Sequence, residues 1–130
     1  EAKAAIRNAD LILIPVQPSP TDMWATKATY DLAKAEKVPV RIVMNRVPAN
    51  SRLAAIIAAE LPEQSKTTIG NRVLFAASLL HGSSATEAAP ESTASLEIKS
   101  LVKEILALTK DKEPADDRYV YTIRRRKEDA

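Results

Sequence analysis

The sequence predicts an α/β fold: a partial, doubly wound parallel sheet with helices on both faces, giving three layers. Strand-like and helix-like segments alternate along the 130 residues. The run Leu11–Ile14 is apolar without alternation, as in a strand covered on both faces, and Val38–Met44 is a second, mostly apolar run of strand-like composition. Parallel strands need crossover connections, and the intervening helical segments supply them. Few strands are predicted, so we expect neighbouring strands from a segment ahead of this chain.

The first elements are a helix over Glu1–Asn8 and the strand Leu11–Ile14. The proline-rich loop that follows cannot continue a ladder, because proline lacks an N–H group. Ser19 is a suitable N-cap, Pro20 suits the first helical position, and Asp22 places a carboxylate in the first turn. Ligands of open α/β sheets bind beyond the carboxyl ends of strands, where this loop lies, so it is a candidate site.

The second helix is expected to end near Lys34–Glu36. Its predicted buried side is an apolar stripe at helical spacing, comprising Trp24, Ala25, Ala28, Leu32 and Ala35. Val38–Met44 then forms the second strand, because β-branched residues dominate it. The loop Asn45–Asn50 leads into a third helix, capped by Asn50 or Ser51 and ended by Pro62. The predicted stripe of that helix is Leu53, Ile56, Ile57 and Leu61.

The last part of the fold is predicted to be mostly helical. Thr67–Ile69 is expected to be a short strand, followed by a turn at Gly70–Asn71 and a helix over Arg72–Leu80. A long helix from Thr93 to about Lys110 has apolar residues at i, i+3, i+4, i+7 and i+8. These residues are Ile98, Leu101, Val102, Ile105 and Leu106. We therefore expect one domain over residues 1–110 and a charged, mobile tail over residues 111–130.

Composition narrows the function classes. The formal net charge is +2, so any nucleic-acid surface must be local. The chain has no cysteine and a single histidine, His81, which argues against disulfides, thiolate chemistry and a zinc site. No apolar stretch approaches the roughly 20 residues of a membrane span. A cytoplasmic protein is the simplest prediction.

Four segments together resemble the C-terminal half of ParA-type partition ATPases, which belong with MinD among the deviant Walker-A, P-loop ATPases. The segments are ADLILIPVQPSPTDMWAT, RIVMNRV, TTIGNRVLFAASLLHG and ATEAAPESTASLEIKSLVKEI. The proline-rich block followed by Asp22 and Trp24 is the most specific of them. The resemblance covers about Ala9 to Leu108 and implies a Rossmann-like P-loop NTPase fold.

The resemblance also implies site residues on the adenine side of a nucleotide. Asn45 and Arg46 follow the second strand, where family members contact the base, and Gly70 and Asn71 resemble a second loop that lines it. The Pro18–Asp22 loop, with Ser19 in it, resembles a segment near the nucleotide and the dimer face. Asn45 has a simpler alternative role, which is to satisfy backbone groups in its own turn.

The phosphate-binding chemistry of such an ATPase is missing from these residues. A phosphate loop needs closely spaced glycines, a lysine and a Ser or Thr for Mg²⁺, but the only glycines are Gly70 and Gly82, and neither belongs to such a motif. In the family these parts lie ahead of the point where this chain begins. We therefore expect the chain alone to be inactive, with no catalytic or metal-binding residues of its own and no tight binding of ATP or Mg²⁺.

In the full protein, the resemblance implies ATP-dependent homodimerisation, non-specific DNA binding and a ParB-like partner that together segregate a plasmid or chromosome. The location would be cytoplasmic and nucleoid-associated, without membrane contact. Arg46, Arg52 and Arg72 lie near strand ends and helix starts, where they could converge on DNA phosphates. The alternative is that these arginines are solvated and paired with nearby carboxylates.

Two other functions stay open. One is a non-catalytic, truncated paralogue that binds a protein partner, for example by pairing along an exposed sheet edge. The other is a MinD-like ATPase that cycles on membranes. That function requires an amphipathic C-terminal helix, and the residues after Lys110 show no apolar helical stripe.

Overall fold

A computed structural model describes residues 2–109 of the chain. Over this range the fold is mixed α/β, as predicted, with six helices and a small parallel sheet of two strands. In chain order the elements are α1 (Ala2–Arg7), β1 (Ile12–Val16), α2 (Pro20–Ala35), β2 (Val40–Met44), α3 (Arg52–Glu60), α4 (Val73–Leu80), α5 (Ala85–Ala88) and α6 (Thr93–Thr109).

The two strands pair in parallel from Ile12 opposite Val40 to Val16 opposite Met44. The Ile12 N–H donates to the Pro39 carbonyl at 2.9 Å, so residues 12, 14 and 16 direct their backbone groups towards β2. Pro15 has the opposite parity, and its nitrogen faces the other edge of β1. The strand therefore continues through Pro15, beyond its predicted end, without losing a hydrogen bond to β2.

A third extended segment, residues 63–71, lies along the other edge of β2. The Ile42 N–H donates to the Glu63 carbonyl, and the Ile69 N–H donates to the Met44 carbonyl at 2.9 Å. Only two isolated parallel bridges form, at Gln64 and Gly70, so the segment is not a continuous strand. The strand predicted at Thr67–Ile69 does not form: of these three residues, only Ile69 hydrogen-bonds to the β2 backbone.

The largest core cluster covers one face of the sheet. It contains Ile14 and Val16 of β1, and Val40 and Ile42 of β2, packed with Ala33 of α2. Each of these side chains is at least nine-tenths buried. A smaller cluster joins the end of β2 to α3 through Met44, Ala54 and Ile57. Burial of these aliphatic side chains fixes α2 and α3 against the sheet.

The predicted helix boundaries hold, but the predicted buried faces of α2 and α3 are partly wrong. In α2 the prediction fails at four of its five residues: Trp24 is 66% exposed, and Ala25, Ala28 and Ala35 are exposed as well. The helix instead buries Thr26 and Ala33. The Thr26 hydroxyl donates to the Asp22 carbonyl at 2.9 Å, which satisfies it inside the packed face. In α3, Leu53 and Ile56 are exposed while Ala54 and Ile57 are buried. Because α2 and α3 are rich in alanine, small residues can form the contact face.

The caps of α2 and α3 are formed by serines. The Ser19 hydroxyl accepts from the Asp22 N–H at 3.2 Å, as the sequence predicts. Ser51, rather than Asn50, caps α3 by accepting from the Ala54 N–H at 3.1 Å. Asn50 instead takes a left-handed backbone conformation in the preceding turn, with φ of 56°.

The helices of the second half pack mainly on each other. The short helix α5 was not predicted, because four residues are too few for a periodic pattern. It is held by Ser95 of α6, whose hydroxyl is fully buried against the carbonyls of Ala85 and Ala89. In the long helix α6, the predicted apolar stripe is half-buried at Ile98, Leu101, Ile105 and Leu106, while Val102 is 48% exposed.

Within residues 2–109, no helix is long and apolar enough to cross a membrane. The predicted tail, residues 111–130, lies outside the described residues.

The end of α4 gives a direct test of the local fold. Gly82 has φ of +70°, and the Ser83 N–H donates back to the Ser78 carbonyl at 2.9 Å, as in a Schellman motif. No atom would obstruct an added Cβ, so the cost of Gly82→Ala is the left-handed backbone alone. We expect a loss of about 1 kcal/mol in the free energy of unfolding, measured with urea.

Gly82→Asn is the control for this substitution, because asparagine tolerates the left-handed region better than alanine. It should cost less than Gly82→Ala. Equal losses for the two variants would show that the backbone conformation of Gly82 is not what determines the cost.

Candidate functional site

A cleft of about 830 Å³ lies on the sheet face opposite the main core. Leu13 and Pro15 of β1 and Val43 of β2 form its sheet wall, since alternate strand residues point to opposite faces. Ile98 and Leu101 of α6 contribute apolar surface from the helical side. Leu13 is 37% exposed in this cleft, which is high for a leucine in a strand. The cleft walls are therefore mostly apolar and accessible.

Two loops bring polar groups to this cleft. Asn45 and Arg46 come from the end of β2, and Gly70, Asn71 and Arg72 come from the extended segment that pairs with β2. All the residues predicted for the adenine side of a nucleotide thus border one cavity. The two loops lie together because residues 63–71 run parallel to β2, so that the end of this segment and the end of β2 lie at the same edge of the sheet.

Asn45 and Arg46 are held by the backbone at the end of β2. The Asn45 N–H donates to the Val16 carbonyl at 2.8 Å, which continues the ladder one step past the strand. Arg46 then has φ of 54°, a left-handed conformation uncommon for residues other than glycine. A strained residue directly beside a cleft is a reason to look for a function there.

The second loop is fixed by both backbone and side-chain contacts. The Val47 N–H donates to the Ile69 carbonyl at 3.1 Å, and the Asn71 N–H donates to the Val47 carbonyl at 2.9 Å. Gly70 is buried, and a Cβ there would lie only 2.6 to 2.8 Å from atoms of the Arg72 guanidinium. The guanidinium therefore occupies the space that a larger residue at position 70 would need.

Glu97 of α6 anchors this second loop. Its Oε1 accepts from the Gly70 N–H and from Arg72 Nε, each at 3.2 Å, and its Oε2 accepts from the Arg72 guanidinium at 2.9 Å. Burial acts to raise the pKa of Glu97, but the bonds from Arg72 and Gly70 outweigh it and leave the pKa below its usual value. The carboxylate is therefore ionised at neutral pH.

Glu104 anchors the preceding part of the same segment, two helical turns further along α6. Its carboxylate accepts from the Ser65 hydroxyl at 2.6 Å, and also from the Lys66 N–H and the Thr67 hydroxyl at 3.3 Å. Burial acts to raise the pKa of Glu104, yet these donors together hold the pKa below its usual value. Two carboxylates on one side of α6 thus hold residues 65–72.

The remaining predicted residues lie away from this cleft. Ser19 caps α2, and the Asp22 carboxylate accepts from the Gln17 N–H at 2.6 Å, so the Pro18–Asp22 loop is organised by its own contacts. Arg52 is exposed at the first position of α3. The proposed roles of this loop in dimerisation, and of Arg52 in DNA binding, stay predictions.

The predicted DNA arginines differ in their surroundings. Arg72 has a carboxylate partner in Glu97, which matches the alternative that the sequence left open, and its side chain is 38% exposed. Arg46 and Arg52 are exposed, and neither pairs with a carboxylate of residues 2–109. Of the three, Arg46 and Arg52 are the arginines with guanidinium groups available to a phosphate.

Sequence analysis assigned no role to Glu97 or to Glu104. Their spacing of i and i+7 is a usable signal, because residues so spaced share one side of a helix. That signal could not identify what the two carboxylates hold, since the partner segment is far away in sequence.

The lining of the cleft suits it to binding a flat heterocycle. Apolar walls can cover the faces of a flat heterocycle, while amide and guanidinium groups at the edge can hydrogen-bond to it. Residues 2–109 contain no group of three His, Cys, Asp or Glu side chains placed to hold a metal ion. The backbone around Gly70 is filled by Arg72, so it does not provide an open cradle for phosphates.

The crowding at Gly70 predicts a specific pattern of stabilities. Gly70→Ala should lower the free energy of unfolding, because the new methyl group displaces the guanidinium from Glu97. In an Arg72→Ala background, Gly70→Ala should cost much less, since the obstructing atoms are gone. Urea unfolding of the four proteins, analysed as a double-mutant cycle, measures this coupling. Simple additivity would contradict the proposed clash.

Comparison with known proteins leaves the family open. No protein-family model matches the chain. No curated protein sequence matches it either. The resemblance to partition ATPases therefore rests on the segments described above.

Proposed function

We propose that this chain is the C-terminal part of a ParA-like partition ATPase, with a three-layer P-loop fold, and that the cleft holds the adenine base of ATP. The observation that carries the proposal is the convergence of two loops on one cavity. Asn45 and Arg46 were predicted from one motif, and Gly70 and Asn71 from another, far along the chain. All four border the same apolar cleft at the end of the parallel strands.

The chemistry of the cleft supports a purine base. A side-chain amide offers both a donor and an acceptor, as the N6 and N7 edge of adenine requires. Leu13, Pro15 and Val43 offer apolar surface for the faces of the ring. The base would thus be covered on its faces and recognised at its edge.

The residues present do not fit the phosphates. The sequence has no glycine-rich phosphate loop, and no metal-binding cluster occurs within the part of the chain that the structure describes. In the proposed protein, a segment preceding this one would supply the phosphate loop, the Mg²⁺ ligands and the hydrolysis of ATP. The residues of this chain would bind and orient the base.

The proposed wider function is ATP-dependent dimerisation, non-specific DNA binding on the nucleoid and action with a ParB-like partner. The Pro18–Asp22 loop follows β1 and would contribute to the dimer face. Exposed Arg46 and Arg52 would contribute to the DNA surface, where each neutralised phosphate adds affinity that falls with salt.

Binding of adenosine tests the proposed site on this chain itself. We expect adenosine to shift the NMR amide signals of residues 45–47 and 70–72 of the 1–130 chain, with weak affinity because adenosine carries no phosphates to add contacts. Asn45→Ala should weaken the binding by about three- to tenfold, the effect of losing one or two hydrogen bonds.

Asn8→Ala is the matched control for Asn45→Ala. Asn8 directly follows α1, its side-chain amide donates to the Ala4 carbonyl of that helix, and neither residue lines the cleft. This variant should bind adenosine as the original chain does. Absence of any shift at the two loops, at millimolar adenosine, would rule out the adenine site.

The DNA surface is tested by Arg46→Gly, with Lys37→Gly as its control. Both residues have left-handed backbones, with φ of 54° and 59°, so glycine relieves the same strain in each variant. Only Arg46→Gly should weaken binding to duplex DNA and lower the salt dependence by about one phosphate contact. Fluorescence anisotropy over a salt series measures both effects, and equal behaviour of the two variants would exclude Arg46.

One observation favours the alternative of a partner-binding module. Within residues 2–109, β1 pairs only with β2, so the backbone groups of Leu13 and the Pro15 carbonyl face an edge without a neighbouring strand. A partner strand could pair there. Such a module would bind its partner without nucleotide, and adenosine would leave the binding unchanged.

A further inference from the structure

We propose that Glu97 is a positioning residue of the cleft: its carboxylate sets the place of the Gly70–Arg72 loop, and thereby the separation of Asn71 from Asn45. The identity of the ligand as an adenine base rests on the proposed function. The positioning itself rests on contacts within residues 2–109.

The first observation is that one carboxylate holds three donors. Glu97 Oε1 accepts from the Gly70 N–H and from Arg72 Nε, and Oε2 accepts from the far end of the same guanidinium. A bidentate contact of this kind fixes the direction of the guanidinium plane as well as its distance. Two positions of the loop are therefore tied to a single residue of α6.

The second observation is the space at Gly70. The three nearest atoms to a Cβ built there all belong to the guanidinium of Arg72, at 2.6 to 2.8 Å. The absence of a side chain at position 70 lets Arg72 fold back over the backbone to reach Glu97. The position of the guanidinium against Glu97 thus requires that position 70 carry no side chain, unless Arg72 moves.

The third observation is that backbone hydrogen bonds connect the loop held by Glu97 to the loop after β2. Asn71 follows Gly70 directly, and its N–H donates to the Val47 carbonyl at 2.9 Å. The Val47 N–H in turn donates to the Ile69 carbonyl at 3.1 Å. Val47 is two residues from Asn45, so the two loops that carry the polar groups are locked together next to the glutamate.

The helix that carries Glu97 also forms part of the cleft. Ile98 follows it directly, and Leu101 lies one turn further along α6; both line the cleft. A shift of the loop relative to α6 would therefore change the width of the cleft, as well as the position of Asn71. Glu97 joins the apolar wall to the polar edge.

Glu104 provides a matched comparison on the same helix. It also accepts several hydrogen bonds from the extended segment, but its partners Ser65, Lys66 and Thr67 do not line the cleft, whereas Gly70 and Arg72, the partners of Glu97, do. Loss of Glu104 should loosen the start of the segment. Loss of Glu97 should loosen the end that borders the cleft.

The experiment compares Glu97→Ala and Glu97→Gln with Glu104→Ala in the 1–130 chain. Amide hydrogen exchange, read by NMR, should speed up about tenfold at Gly70 and Asn71 in Glu97→Ala, and at Lys66 and Thr67 in Glu104→Ala. Glu97→Gln keeps an acceptor for the Gly70 N–H but loses the charge, so it should be intermediate. Urea unfolding records the global stability of each variant.

Adenosine binding then separates positioning from simple support of the fold. Glu97→Ala should weaken adenosine binding about fivefold, and Glu104→Ala less than twofold, even where the two variants lose similar stability. Equal exchange patterns in the two variants, or unchanged exchange at Gly70 and Asn71 in Glu97→Ala, would overturn the proposal. Equal weakening of adenosine binding by the two variants would overturn it as well.

Failure of the proposed function gives a different result. If the unsubstituted chain binds no adenosine, the adenine site is excluded, and the exchange pattern alone decides whether Glu97 positions the loop. Site-limited exchange at Gly70 and Asn71 would then still support the positioning role.

Discussion

The structure depends on β2 being hydrogen-bonded along both of its edges. Backbone groups of residues 39 and 45, at the two ends of β2, bond to β1, while those of Ile42 and Met44 bond to the extended segment over residues 63–71. The two neighbours lie on opposite edges of β2, so β2 joins them through its backbone. The carboxyl end of β1, the loop after β2 and the loop at Gly70 therefore meet at one edge of the sheet. The candidate cleft follows from this backbone pairing, because its polar residues come from the ends of those segments.

Backbone pairing alone does not complete the cleft, since residues 63–71 make only two isolated bridges with β2. The carboxylates of Glu97 and Glu104 supply the missing constraint from α6, by bonding to backbone and hydroxyl groups that lack partners in a continuous ladder. Both carboxylates have lowered pKa values despite partial burial, so they accept these bonds in the ionised form. An irregular strand is thus held by side chains of a helix.

The sequence predicted elements well and contact faces less well, for identifiable reasons. The run at Leu11–Ile14, the Ser19 cap and the long periodic helix at Thr93 each have a strong local signal, and each is confirmed within a few residues. The exposed Trp24 contradicts the predicted face of α2, because alanine and threonine at neighbouring positions pack more closely against the sheet. Of the site, the two loops could be predicted from motifs. Glu97 could not, because its role depends on a segment that is distant in sequence and on the empty space beside Gly70.

Helix α4 is a second example of a contact face that the sequence does not predict. It is apolar on all sides, yet Val73 is 84% exposed and Leu80 is 83% exposed, and within the helix only Ser78 is buried. A periodic pattern cannot define a face where every position but Ser78 is apolar, so here sequence alone cannot separate residues that pack from residues that do not. The cleft is a similar case, because Leu13 and Pro15 have the apolar character of core residues but face an accessible cavity. In both places, burial is decided by which element lies opposite, and the polar residues at the rim, Asn45 and Asn71, are what distinguish the cleft from an unfilled core.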